Sequence, residues 1–496
     1  MAPTSDGVQV EEQVLPPGFV RAVREAVGVG GIVDDHAGLL TYECDGLTGH
    51  RVTPALVALP TSTEQVQAVV RACHAHGIPF VARGAGTGLS GGAVPVAEGI
   101  VISLARMNRI LEIDLESGRV TVEPAVTNLG VTQAVADDGY YFAPDPSSQQ
   151  VCTIGGNVAE NSGGAHCLKH GFTVTHVTGL QLVLPDGELV ELGGKGLDPP
   201  GPDLMGLVIG SEGTLGIATR VTLRIIRRPE AVCTVLAGFD STSQAGLAVS
   251  EIIAAGILAG AMEIMDRLTL EAAEAAVHAG YPNVGSVLIV ELDGNAVQVE
   301  DDLARVDEIC RRLGATELRV ARDDEERALV WKGRKAAFAA VGRVSHDYYV
   351  QDGVVPRTRL PEVLDRIGEL ERQYGLRVGN VFHAGDGNLH PLVLYDRRNP
   401  GEPERAKELA EAILEICVDV GGALTGEHGI GVDKACRMPL MFSEVDIETM
   451  HRIRRAFDPD GISNPGKIFP TPRLCGEVPG PYRAHPIELA GLGERF

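Results

Sequence analysis

Residues 83–93 read RGAGTGLSGGA, and the continuation of the chain beyond them decides the fold. Gly86, Gly88 and Gly91 match the GxGxxG spacing of a dinucleotide-binding loop. That fingerprint needs a helix directly afterward, with its N-terminus facing the pyrophosphate. The next residues are VPVAEGIVISL: Pro95 and Gly99 break any helix, and 100–104 read as a strand. A loop between two strands can still present successive backbone N–H groups as an anion-binding concavity. Taken alone, the loop also admits the plainer reading of a glycine-rich turn with no ligand.

Upstream, PTSTEQVQAVVRACHAHG (60–77) predicts a helix. Thr61 with Glu64, or Ser62 with Gln65, supplies a capping box, and Gly77 the stop. A strand is expected over 78–82. Downstream, ILEIDLESGRVTVEP (110–124) alternates on both sides of a Ser-Gly turn. A short helix over 128–137 leads to the Pro-rich bend FAPDPSS (142–148). A second glycine segment comes next, QQVCTIGGNVAENSGGAHCLKHG (149–171), then the hairpin LQLVLPDGELVEL with Pro-Asp-Gly at its turn. A third, IGSEGTLGIATRVTLRI (209–225), leads into another strand. Three small-residue backbones between strands point to a long ligand lying flat against main chain.

The texture changes near Arg227-Arg228-Pro229. From there to about residue 425, longer helices alternate with single strands, and glycines are few outside HAGDGNLH (383–390). Turn-rich text returns at GGALTGEHGIG (421–431) and closes with FDPDGISNPGKIFP (457–470). The predicted organisation is 1–229 (core 52–229), an α+β unit over 230–425, and 426–496 returning to the first unit. The tail from Thr471 is expected to run over the surface.

The 496 residues fit two or three domains. Apolar residues at 44% and charged residues at 22% suit a folded, soluble chain. No apolar run reaches membrane-spanning length, and MAPTSDGVQVEEQ lacks the features of a signal peptide. Nine cysteines, odd in number and scattered without a CxxC pair, predict a reduced, cytoplasmic setting and no iron–sulfur cluster. A net charge of −24 opposes a nucleic-acid partner.

HAGDGNLH places two histidines around Asp386-Gly387, a strong two-residue hairpin signal. That register sets Gly385 against Asn388 and His383 against His390, on one side of the ribbon and close enough to share a metal ion. Two core histidines satisfied by carbonyls is the competing reading. A third ligand would discriminate, and GEHG offers Glu427, with His428 beside it. Two histidines and a carboxylate leave positions open for substrate oxygens.

The three glycine segments together make the chain resemble the FAD-linked oxidases of the vanillyl-alcohol-oxidase fold, over roughly residues 50–470. The likeness is to the group holding glycolate oxidase flavin subunits and D-lactate and D-2-hydroxyglutarate dehydrogenases. It implies an α+β fold: a two-subdomain FAD-binding domain and a cap built on an antiparallel sheet. By that likeness Gly84, Ala85, Gly86, Thr87, Gly88, Leu89 and Ser90 cradle the FAD pyrophosphate. Pro144, Ser147, Ser148, Gly155, Asn157, Asn161 and Gly164 approach the flavin and ribityl chain. Glu212, Gly216 and Ile217 lie near adenine and ribose, and Asn464 returns to touch the flavin. The first loop has Thr87 and no histidine, so noncovalent FAD is expected.

The same resemblance assigns His383, His390 and Glu427 to a divalent cation, zinc or manganese, and His428 to the base. It makes Arg334, in WKGRKAAFAAVGR, the clamp for a substrate carboxylate; periodicity alone would make it a surface helix arginine. Lys335 is a weaker candidate, and Asn388 is a substrate contact, a support or a turn residue. The implied reaction oxidises a 2-hydroxy acid to the 2-oxo acid, with hydride passing to flavin N5. Val350 in DYYVQDGVV and Phe338 stand where relatives acting on dicarboxylates carry further polar groups, which favours glycolate or D-lactate over D-2-hydroxyglutarate. Electrons must leave to another protein, such as an iron–sulfur subunit of a glycolate-oxidase-type complex, or to a quinone. Oxidation of phenols or ether-lipid chemistry, and a flavin subunit serving a partner without its own chemistry, are the competing readings.

Overall fold

The structure is a computed structural model and describes residues 15–196 and 201–470; the tail from Thr471 lies outside them. Its first sheet has four strands, ordered Ile32–Val33, Leu56–Ala58, Ile100–Ser103 and Phe80–Arg83, the last three parallel. The helix Thr63–His76 connects two of them. Ser62 Oγ accepts from Gln65 N, and Gly77 ends the helix at φ 64°. The strand expected over 78–82 begins two residues later, because Ile78 and Pro79 carry the chain out of the helix cap.

The second sheet is antiparallel and five-stranded: Ile110–Asp114, Arg119–Val122, Ile217–Arg224, Val177–Val183 and Leu189–Gly193. Its inner face packs on the helices Asn128–Val135 and Ile154–Glu160 through Val131, Val135, Ile154 and Val158. The glycine segments therefore sit between two sheets, one mixed and one antiparallel.

A nine-stranded antiparallel sheet fills residues 231–395. Its strand Ser286–Gly294 is buried on both faces, and successive side chains serve different cores. Leu288, Val290 and Leu292 meet the helices Thr242–Ala254, Ala296–Arg312, Leu360–Tyr374 and Glu402–Asp419. Val287 and Ile289 meet Arg267–Val277 and Asp324–Val341. Ala165, from the second glycine segment, joins that second core, so the flavin-motif text rests on this face of the large sheet.

After the helix Glu444–Phe457 the chain returns to the first sheet. Phe80 N donates to Ile462 O and Asn464 N to Phe80 O, and Ile462 enters the first sheet's core. Against the all-thiol expectation, Cys436 is disulfide-bonded; seven other cysteines are free. No helix among the described residues is long and apolar enough to cross a membrane.

Candidate functional site

A cavity of ≈ 740 Å³ runs between the glycine segments and reaches the large sheet. Gly84, Ala85, Gly86, Thr87, Gly88 and Leu89 line it, as do Ser147, Ser148, Gly155, Asn157, Glu212, Gly216 and Ile217. None of the backbone N–H groups from Gly84 to Gly92 donates to a protein acceptor among the described residues. A run of unspent amides on a cavity wall is the concavity an anionic phosphate fills.

Five expected cofactor residues stand off this wall. Ser90 presents its carbonyl to Val432 N and Asp433 N. Asn161 is a left-handed helix cap whose Oδ1 accepts from Val174 N at 2.9 Å. Gly164, at φ 144°, packs on the Asp145 backbone. Pro144 lies in the same bend, one residue before Asp145. Asn464 is buried and spends Nδ2 on Gly92 O (2.9 Å) and Glu212 O (2.5 Å), so it braces two loops from behind. The wall also holds residues the motifs did not single out: Arg83, Thr153, Glu160 and the segment 46–49.

At the other end of the cavity the hairpin carrying His383 and His390 departs from the expected register. His383, at the end of the strand Val378–His383, pairs with Asn388, and residues 384–387 form a four-residue loop. Gly387 does take the left-handed conformation, φ 80°. The tighter turn loses because neighbouring strands claim the loop backbone: Gly385 N donates to Met262 O and Gly387 O accepts from Val355 N. His390 becomes the diagonal neighbour of His383, two residues beyond Asn388. Long side chains still meet at that spacing, and the ring centroids are 5.1 Å apart.

Glu427 joins them, with Oε1 3.3 Å from His383 Nε2 and 3.4 Å from His390 Nε2. One ligand atom from each of the three lies within 4.8 Å of the others. Both His390 nitrogens and Glu427 Oε2 are buried without a well-formed hydrogen bond. Buried lone pairs converging in this way suit a divalent cation. Asp352, His390 and His428 form a second such group.

His428 stacks on His390 with centroids 4.9 Å apart. Burial lowers its pKa to about 4, so the ring is neutral and able to take a proton. Burial opposes the charge on Glu427, but His383 and His390 hold its carboxyl down at about 2.

Glu263, which sequence reasoning passed over, faces His383 across the strands and lies 2.8 Å from its Nδ1. An ionised carboxylate there keeps the proton on Nδ1 and turns the Nε2 lone pair toward the ion site. Arg334 stands behind the cavity, 2% exposed, with Nε donating to Glu263 Oε2 at 2.8 Å. The wall beside it carries Lys335, Phe338 and Val350. Asn388 is buried against Gly426.

Residues 54–193 match the family model "FAD binding domain" and 228–468 match "FAD linked oxidases, C-terminal domain". The chain is 50% identical to the glycolate oxidase subunit GlcD of Escherichia coli (strain K12), over 92% of both chains. The chain belongs to the FAD-linked oxidases. This FAD-linked oxidase is also 38% identical to glycolate oxidase subunit GlcD of Bacillus subtilis (strain 168), over 88% of this chain and 93% of that one. It is 33% identical to a D-lactate dehydrogenase of Anaerostipes hadrus, over 84% and 90%. In fold it superposes on p-cresol methylhydroxylase with TM-score 0.78 at 19% identity, covering 91% of this chain and 96% of that one. The two-part flavoprotein fold implied by the resemblance is the fold observed.

Proposed function

We propose that this oxidase converts a small 2-hydroxy acid, glycolate or D-lactate, to the 2-oxo acid, using noncovalent FAD and a divalent cation held by His383, His390 and Glu427. The observation that carries the reading is the convergence of those three side chains near the cavity that the glycine segments line. The names of the glycolate oxidase and D-lactate dehydrogenase relatives support the substrate class.

When bound, FAD supplies a hydride acceptor and the cation a Lewis acid that anchors and acidifies the substrate hydroxyl. The chain's own residues do the rest. Glu263 keeps the ligand tautomer of His383. His428 Nδ1 lies 4.0 Å from Asp352 Oδ2, which leaves Nε2 as the nitrogen to take the hydroxyl proton. A positioned base of this kind contributes about 10²–10⁴-fold. For the substrate carboxylate two cations are near, Lys335 on the wall and Arg334 just behind it, whose Nη2 lies 2.5 Å from Glu263 Oε2. Phe338 and Val350 on the wall offer no polar group to a second carboxylate, and Arg397 on the same wall is committed to Asp347. Asn388 supports the terminal loop.

The electron acceptor would be a partner protein, such as an iron–sulfur subunit, or a quinone. Anaerobic addition of glycolate or D-lactate to the purified holoprotein should bleach the visible flavin band, with one divalent ion per chain by elemental analysis. No bleaching by any 2-hydroxy acid would sink the proposal.

A further inference from the structure

Asp352 is fully buried at the junction between the strands Asp347–Val350 and Gly353–Val354, and no step above uses it as more than a neighbour of His428. Its Oδ2 accepts from Thr425 Oγ1 at 2.5 Å, Gly426 N at 3.0 Å, Glu427 N at 3.2 Å and His428 N at 2.9 Å. Lys434 Nζ lies 3.5 Å from the same oxygen. Three consecutive amides converging on one acceptor bend residues 425–428 around it. Two adjacent side chains, Glu427 and His428, then leave the bend from fixed points.

The same carboxylate also belongs to the second group of potential ligands, with His390 and His428. Its surroundings decide between the two roles. Oδ2 is saturated by donors, and an ammonium beside it would repel a cation. Oδ1 is the freer oxygen, with Glu427 N and His390 Nε2 both at 3.4 Å. By contrast Glu427 Oε2 meets no donor at all. The loop is also seated from the other side. A Cβ on Gly426 would collide with the Asn388 carboxamide, so the bend lies flush on the metal hairpin.

We propose that Asp352 is the positioning residue of this site: it holds the 425–428 bend so that Glu427 reaches the ion and His428 the substrate, and it is not itself a ligand. The inference rests on the metal-dependent reading above. Removing a support of this kind costs about 10–100-fold in metal affinity or activity.

The test compares wild type with Asp352→Asn, which keeps the shape and removes the charge. FAD content and bound ion are measured at an ion concentration far above wild-type saturation. Anaerobic flavin reduction by glycolate or D-lactate is then followed by stopped flow. The expected result is retained FAD and ion, an apparent substrate affinity within about 3-fold of wild type, and limiting reduction slowed about 10–100-fold. Loss of the ion with FAD retained would make Asp352 a ligand and overturn the proposal; so would unchanged reduction. If Asp352→Asn yields no flavoprotein, Thr425→Val, which removes one donor, decides by the same measurements. Slowed reduction with the ion retained supports the proposal, and wild-type behaviour overturns it. A wild type that holds no ion, or that no 2-hydroxy acid reduces, would overturn the underlying reading and this inference with it.

Discussion

Replacing Glu263 by Gln should separate two effects that meet at one carboxylate. The side chain is 0% exposed, lies 2.8 Å from His383 Nδ1, and accepts from Arg334 Nε at 2.8 Å. Gln keeps one acceptor and gains an NH2 that must face one of these donors. In either orientation the neutral amide leaves a buried guanidinium uncompensated, which costs about 3–5 kcal/mol. Facing His383, it forces the proton onto Nε2 and removes the lone pair the ion needs. For a domain of this size each kcal/mol lowers the midpoint by about 2–4 °C, so metal-free Glu263→Gln should melt about 6–20 °C below wild type. Affinity for zinc or manganese should fall about 10–100-fold. Calorimetric melting of metal-stripped protein and titration of the ion measure the two effects apart. The double variant Glu263→Leu with Arg334→Met removes both charges. It should recover most of the midpoint without recovering the ion. A single variant melting within about 2 °C of wild type would refute the buried pair, and metal affinity restored in the double variant would refute the link through His383.

Gly164→Ala should destabilise the protein and weaken its hold on FAD. The residue sits at φ 144°, and a Cβ would lie 2.5 Å from the Asp145 carbonyl carbon, beside Ser147 and Ser148 on the wall. The backbone strain alone is about 1–3 kcal/mol. Flavin occupancy after gel filtration checks it, and wild-type occupancy and melting would count against the close packing. Asp266 caps the helix Arg267–Val277, and burial raises its pKa to about 6. With the folded pKa above the unfolded one, its contribution to stability is full below pH about 4 and is lost as pH rises through about 6. Asp266→Asn should flatten that part of the stability–pH profile; an unchanged slope between those limits would contradict the assignment.

Much of the architecture was legible because it is written in short-range text. Alternation on both sides of Ser117-Gly118 and of Asp186-Gly187 gives two hairpins of the five-stranded sheet. The break after Gly91 excludes a helix. The hairpin carrying His383 and His390 was legible as a motif but not in register, since the bonds that widen its loop come from Met262 and Val355, distant in sequence. Glu263 and Asp352 were invisible for the same reason: one is a lone carboxylate in an apolar strand, the other sits at the junction of two strands, and the hydrogen-bond donors they meet lie 71 to 120 residues away. The usable signal was the misfit itself. In AMEIMD a charged residue interrupts a run buried on both sides, and a charge so placed must be paired. Asn464 returns to the glycine-rich site as the resemblance implies, with a bracing role the sequence did not reveal: Nδ2 is spent on Gly92 O and Glu212 O while Oδ1 meets no donor.

The glycines do more than cradle a cofactor. A Cβ at Gly163 would lie 2.8 Å from Glu427 Oε2, and one at Gly385 would lie 2.7 Å from Leu168 in the second glycine segment. Gly426 meets Asn388 of the hairpin in the same way. The flavin-side segment, the metal hairpin and the terminal bend thus touch one another at points where only hydrogen atoms fit. Close packing transmits small displacements, so a methyl group at any of these seams displaces side chains of the candidate site by tenths of an ångström while both cores stay intact. The seams join residues 163–168, 385–388 and 426–427, so segments far apart in sequence are held in one fixed relation at the candidate site.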